Sequence, residues 1–198
     1  MKNDYLTRLR YATRDAHKQV ELTTNGNDLI SNPNKDSYAL FLLTHYLFYN
    51  EVSHQMKLAN EIDGLKLEDL PKQEVIGIAL LEDLEILNIR VSTIPTIYDY
   101  QSAFHALGMY YVMRGSTMGN RIIFNELSKN KNFVSWNASN FLKTSLKTAT
   151  KDWTSFKNEL LIYLNDNYKE IENGSLEGFQ LFGKLHLKAK KSLDLIEA

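Results

Sequence analysis

Apolar residues recur at three- and four-residue spacing along almost the whole chain, and no stretch alternates convincingly at period two. A chain with that pattern buries its side chains by packing helix on helix. Its three prolines, Pro33, Pro71 and Pro95, each stand near an interruption in the pattern, as short connections between helices require. With 198 residues, 43 % of them hydrophobic, the chain can form one core of ordinary size. The expected fold is all-α: a single domain over residues 1–198, built as a bundle of six or seven helices.

The spacing predicts a first helix over 4–23, carried by Tyr5, Leu9, Ala12, Ala16 and Val20 and stopped by Asn25-Gly26-Asn27. Asp36 is placed to cap a second helix running to 60, rich in aromatics from Tyr38 to Tyr49. A connection over 63–71 leads to a third helix over 73–89, with Ile76, Leu80, Leu84 and Leu87 as its buried line. After a break at 92–95, a long helix is expected over 98–127. The polar segment 128–134 reads as a loop. It is followed by a helix over 136–148, another capped by Asp152 and running to 168, and a last one beyond Asn173-Gly174 through Phe179, Leu181, Phe182, Leu185 and Leu187.

Charges nearly cancel, 23 Lys and Arg against 24 Asp and Glu, so no global field favours nucleic acid or an anionic membrane. The absence of cysteine removes disulfides, thiolate nucleophiles and thiolate metal sites. Any metal must be held by His, Asp, Glu or a cofactor. The first residues lack the apolar core of a secretion signal, and no run approaches the ~18 apolar residues of a membrane span. The expectation is a cytoplasmic protein that does not enter the membrane.

Three sets of residues can carry chemistry. Arg10, Arg14, His17 and Glu21 share one stripe of the first helix, which presents an imidazole with cations upstream and a carboxylate one turn on. An iron ligand needs a neutral imidazole whose other nitrogen is hydrogen-bonded, a role open to Glu21 or a backbone carbonyl; ordinary surface ion pairs give the same stripe. The long helix carries Gly108, Tyr110, Tyr111, Gly115, Ser116, Thr117, Gly119 and Asn120. Each interior glycine costs roughly 1 kcal/mol relative to alanine, so three near one face need a compensating gain. Close approach of another helix and close approach of a flat ligand both supply one. Ser116 and Asn120, one turn apart, can hold a water beside the same opening. Lys143 and Lys147, with Lys151 beyond, form a basic set able to meet carboxylates at a pocket rim or simply to face solvent. A competing pattern, Glu51-x-x-His54, has di-iron carboxylate spacing but lacks the second copy such a site needs. His45, His105 and His186 read as core-edge or surface histidines.

The segment Arg10-Tyr11-Ala12-Thr13-Arg14-Asp15-Ala16-His17-Lys18-Gln19-Val20-Glu21 resembles the proximal helix of the heme oxygenase family, especially its bacterial branch. Tyr110-Tyr111-Val112-Met113-Arg114-Gly115-Ser116-Thr117-Met118-Gly119-Asn120 resembles that family's glycine-rich distal helix. The two motifs occur in the family's order, and with Leu80-Leu81-Glu82-Asp83-Leu84 the resemblance covers most of the chain. It implies His17 as the proximal iron ligand, Glu21 near that ligand and Arg10 at a heme propionate, with Tyr111 also heme-binding. Gly115 and Gly119 correspond to the glycines that let the distal backbone lie over the porphyrin, and Lys143 and Lys147 to weaker propionate partners. Two positions depart from the usual pattern. Ser116 stands where animal members carry an aspartate, and Asn120 replaces the second glycine of a pair, putting a side chain near the distal opening.

The activity implied by the resemblance consumes heme, O2 and electrons and releases biliverdin, carbon monoxide and ferrous iron, with Ser116, Asn120, Gly115 and Gly119 forming the catalytic wall. Heme is then both cofactor and substrate. The chain has no nucleotide-binding fingerprint, so a ferredoxin, flavodoxin or reductase is the implied electron donor. Two alternatives share the fold: a protein that binds heme or another planar ligand for storage, sensing or delivery, and a superfamily member with an unrelated ligand.

Overall fold

The computed structural model describes residues 2–24, 26–67, 70–91 and 98–194. Those residues form helices and no strands: α1 (Lys2–Ala12), α2 (Arg14–Thr24), α3 (Gly26–Ser31), α4 (Lys35–Asp63), α5 (Leu70–Ile86), α6 (Ala103–Leu127), α7 (Lys131–Trp136) and α8 (Asn140–Asp194). The expected all-α class is what is found. The break expected at 92–95 and the side chains of Lys151 and Asp152 lie outside the described residues.

The single helix expected over 4–23 is interrupted at Thr13. Its hydroxyl donates to the Leu9 carbonyl at 2.9 Å, an acceptor already taken by its own amide at 3.0 Å. This back-bonding bends a helix without ending it, and the ladder resumes with the His17 amide donating to the Thr13 carbonyl at 3.0 Å. At the start of α4 the cap is Asn34, not Asp36: Asn34 Oδ1 accepts from the Ser37 amide at 2.8 Å, and Asp36 falls inside the first turn, where its charge meets the helix dipole. The far end of α4 closes on Gly64, whose φ of 70° is the left-handed position at which glycine ends helices.

The long helix α6 starts at Ala103, five residues later than the spacing predicts, because two side chains cap it there. Ser102 Oγ accepts from the His105 amide at 3.2 Å, and Asp63 at the end of α4 accepts from the Ala103 amide at 3.1 Å. The predicted loop over 128–134 contains α7, nucleated by Asn130, which accepts from the amides of Asn132 and Phe133. The start of α8 is capped across the fold by the wholly buried Asp83 of α5. Its two carboxylate oxygens accept from the Asn140 and Phe141 amides at 2.9 and 2.8 Å. Burial pushes the Asp83 carboxyl above its ordinary range, and the two amides pull it back down.

Gly174 does not separate helices. The irregularity lies at Asn167 (φ −122°, ψ 24°), whose side-chain amide donates to the Tyr163 carbonyl at 3.2 Å. The partners along α6 reverse order across that point. Before it, Ser145 meets Asn120, Trp153 meets Tyr111, Phe156 meets Tyr110 and Tyr163 meets Phe104. After it, Gly174 meets His105, Ser175 meets Gly108 and Gly178 meets Met109 and Val112. The chain therefore turns back at Asn167, and both halves of α8 pack along α6.

This reversal brings backbones into contact. A Cβ on Gly108 would run into the Ile171 carbonyl and lie 2.7 Å from the Ser175 nitrogen, and one on Gly174 would run into the His105 carbonyl. The Ser175 hydroxyl closes the crossing with bonds to the Ile171 and Gly108 carbonyls at 2.7 and 3.1 Å. The core formed by α4, α6 and α8 includes Phe48, Met56, Leu107, Met109, Phe141 and Phe156. Among the described residues no helix is long and apolar enough to cross a membrane.

Candidate functional site

No residue of α2 is buried, so this helix rests on the bundle as an outer layer and holds its polar stripe in the open. His17 keeps 58 % of its side chain exposed, with its ring edge against Phe179 of α8 at 5.5 Å between centroids. Nδ1 lies 3.5 Å from Glu21 Oε1, one turn on. A carboxylate on that side favours the tautomer carrying hydrogen on Nδ1 and leaves Nε2 as the lone-pair nitrogen, the form a metal takes.

Phe179 touches His17, while its neighbour Gly178 packs on Val112 and Met109 of α6. One turn of α8 thus supports both the imidazole and the helix bearing the glycines. Past that turn α8 turns to α4: Phe182 meets His45 and Phe48 at 5.1 and 5.2 Å. Among the described residues, the glycine face of the next two turns of α6 is left almost bare. A Cβ on Gly119 would have no heavy atom within 4 Å, and one on Gly115 would meet only the edge of Trp153 at 4.0 Å. Met118 and Ile122, on the same stripe at helical spacing, are 42 % and 63 % exposed.

The α6 glycines therefore divide into two classes. Gly108 serves helix packing; Gly115 and Gly119 do not, and their helix-propensity cost is not recovered inside the protein. A stripe of two bare glycines flanked by exposed Met118 and Ile122 is an apolar strip of backbone, suited to something flat.

Arg10, exposed on α1, reaches this region through Tyr111. Burial pushes the Tyr111 hydroxyl above its ordinary range, and the Arg10 charge acts in the opposite direction. Tyr111 leans on Trp153 at 5.9 Å. Tyr111 and Gly115 thus share Trp153 as a neighbour, the Arg10 charge acts on Tyr111, and His17 rests on Phe179 of the same α8. Arg14 turns instead to Tyr11 and Asp15.

The polar pair of the glycine helix is placed differently from the expectation of a shared opening. Half-buried Ser116 donates to the Met113 carbonyl of its own helix at 2.8 Å. Asn120 is buried, and its amide donates to Ser145 Oγ of α8 at 3.3 Å. The side chain that departs most from the family pattern is therefore drawn toward α8. Lys143 and Lys147 are exposed on the first turns of α8, with Lys143 acting electrostatically on Asp83.

Glu51 is buried, with a carboxylate oxygen accepting from Gln55 at 3.2 Å and from the Tyr98 amide at 3.4 Å, while His54 is exposed. No group of three or more potential metal ligands forms among the described residues, so the di-iron pattern assembles no site there. His105 bonds Glu177 at 3.1 Å, and His186 sits 3.3 Å from the Thr44 hydroxyl. His45 is surrounded by Phe41, Phe141 and Phe182, and its Nδ1–H donates to the Phe41 carbonyl at 2.8 Å. Burial pushes its imidazole down to about 4, so it is neutral at physiological pH.

Sequence reasoning missed Phe179 and Trp153 as site residues and Ser145 as the partner of Asn120. Each occupies an ordinary position in a helical pattern, and only the packing of the two halves of α8 brings it to α2 or α6.

No curated protein matches the chain. The heme oxygenase family model matches residues 3–188, spanning both the His17 helix and the glycine helix. Over nearly its whole length, with an open imidazole and an uncovered glycine stripe on one helical frame, the chain belongs to the heme oxygenase family.

Proposed function

We propose that this protein degrades heme, consuming O2 and electrons from an external donor and releasing biliverdin, carbon monoxide and ferrous iron. The observation that carries the reading is the vacant space over Gly115 and Gly119, where a Cβ would fit and none is present. The residues suit heme. A porphyrin is flat and apolar with carboxylates on one edge; the glycine stripe with Met118 and Ile122 offers a flat apolar wall, and Arg10 beside Tyr111 offers a cation and a hydroxyl donor for a carboxylate.

His17 would hold the substrate iron through its imidazole, with Glu21 one turn on placed to orient the ring. When bound, heme supplies the iron centre at which oxygen is activated, and it is itself consumed. The bare backbone at Gly115 and Gly119 would let a flat ligand lie close to α6 and keep bulk water from that face. The half-buried Ser116 hydroxyl, whose proton goes to the Met113 carbonyl, would be able to accept from a water beside this stretch. Asn120, tied to Ser145, steadies the next turn of the helix without filling the gap. Electrons come from a ferredoxin, flavodoxin or reductase.

The test is a single preparation. Purified protein mixed with hemin develops a Soret band with histidine ligation, and His17→Ala loses that ligand signature. With O2 and a reducing system the Soret band decays as biliverdin and carbon monoxide accumulate. A complex that stays intact under those conditions identifies a heme-binding protein without the degrading activity, and failure to take up hemin refutes both.

A further inference from the structure

Among the described residues, Trp153 of α8 reaches the glycine stripe: its Cη2 atom lies 4.0 Å from where a Gly115 Cβ would stand, and no described residue of another element comes within 4 Å of a Gly119 Cβ. The indole is held by rings on both helices: Tyr111, one turn before Gly115, at 5.9 Å, and Phe156 at 5.8 Å. Phe156 is in turn wholly buried, edge-on to Tyr110 at 5.3 Å. Trp153 itself is only half-buried, so part of its surface is left uncovered by the protein.

The stripe is consequently asymmetric along α6. At its N-terminal end stands a braced aromatic ledge, Tyr111 and Trp153, with the Arg10 charge acting on Tyr111. At its C-terminal end Met118 and Ile122 are exposed with no ledge beyond Gly119. A porphyrin is a nearly fourfold disc, and a featureless slot would accept it in several rotations about its normal. A wall on one side only removes that degeneracy.

We propose that Trp153 contacts the porphyrin edge and, with Tyr111, fixes the rotation of heme in its plane, thereby selecting which meso carbon is cleaved. This rests on the heme reading above. The ledge would bound the ring at the Tyr111 end of the stripe and leave the end at Met118 and Ile122 open. Removing the indole leaves the iron ligand and the glycine stripe intact and opens a second rotation.

The experiment compares the ferric heme complexes of the wild-type chain, Trp153→Ala and Trp153→Phe by proton NMR of the paramagnetically shifted heme methyls, which report rotation independently of turnover. The wild type is expected to give one dominant set of methyl signals. Trp153→Ala is expected to give a second set, a loss of hemin affinity of about five- to tenfold, and a mixture of biliverdin isomers in place of a single main one. Trp153→Phe keeps a ring at the ledge and stays close to wild type, which keeps the test valid if the alanine variant folds poorly. Unchanged methyl patterns in a folded alanine variant overturn the role of Trp153 and leave the heme reading standing. A wild-type chain that takes up no hemin overturns the heme reading and this inference with it.

Discussion

At single residues, the glycines of α6 separate stability from binding. Alanine at Gly115 or Gly119 meets no clash and improves helix propensity, so each substitution is expected to stabilise the free protein by up to about 1 kcal/mol in urea unfolding. Each new methyl also stands where the porphyrin lies, so the same variants are expected to bind hemin at least about tenfold more weakly by Soret titration. Gly108→Ala should behave in the opposite sense. Its methyl would strike the Ile171 carbonyl, and a loss of about 2–3 kcal/mol is expected in the same unfolding measurement. Equal responses at the three positions would remove the distinction between a packing glycine and a site glycine. Asn120→Gly loses the bond to Ser145 and adds backbone freedom, so it should cost about 1–2 kcal/mol; because the amide is drawn toward α8, no gain in turnover is expected.

At the scale of elements, the site depends on how α8 is started and where it turns. Asp83→Ala leaves the first amides of α8 without their acceptors in a buried setting, and a loss of about 2 kcal/mol is expected in denaturant unfolding. Element boundaries were legible only where the signal was local. The exposed polar stripe of α2 follows from its spacing alone, whereas the end expected for α4 at 60 falls three residues short of Asp63, beyond which Gly64 takes the left-handed backbone. The cap by Asp83 was hidden, because a residue inside one helix caps another 57 positions away. Gly174 was misleading for a related reason: its missing side chain serves the crossing with His105, whereas the turn belongs to Asn167, which looks in sequence like any polar helix residue.

For the molecule as a whole, acid is expected to loosen the packing of α4 on α8. His45 is held neutral in the fold, its imidazole pushed down to about 4 from an ordinary 6.5 by burial, with His186 acting in the same direction. A folded-state value below the unfolded one means that the unfolded chain binds more protons between the two. The stabilisation is therefore complete above about 6.5 and lost as pH falls toward 4. The full shift corresponds to an effect on the order of 3 kcal/mol. Thermal melts from pH 7 to 4 should decline across that window, and His45→Leu should flatten the decline; an equally steep slope in the variant would remove His45 from the account. Hemin should raise the melting temperature of the wild type, since a ligand at a hundred times its Kd adds about 2.7 kcal/mol.

The helical class was readable from the order of residues, as were the two segments that resemble the heme oxygenase family. They rest on spacing and backbone chemistry that act within a few turns of chain. The alternative uses of the glycines were readable too, but not the choice between them, because a bare backbone signals a close approach without naming what approaches. Tertiary structure separates them: the half of α8 after Asn167 covers Gly108, while at Gly115 α8 offers only the edge of Trp153 among the described residues. The half of α8 before Asn167 brought Ser145 to Asn120 and Trp153 to the edge of the stripe, and the reversal there brought Phe179 to His17. These pairs are distant in sequence and are set by how the two halves of one helix pack, a property of the packed chain that no local pattern encodes.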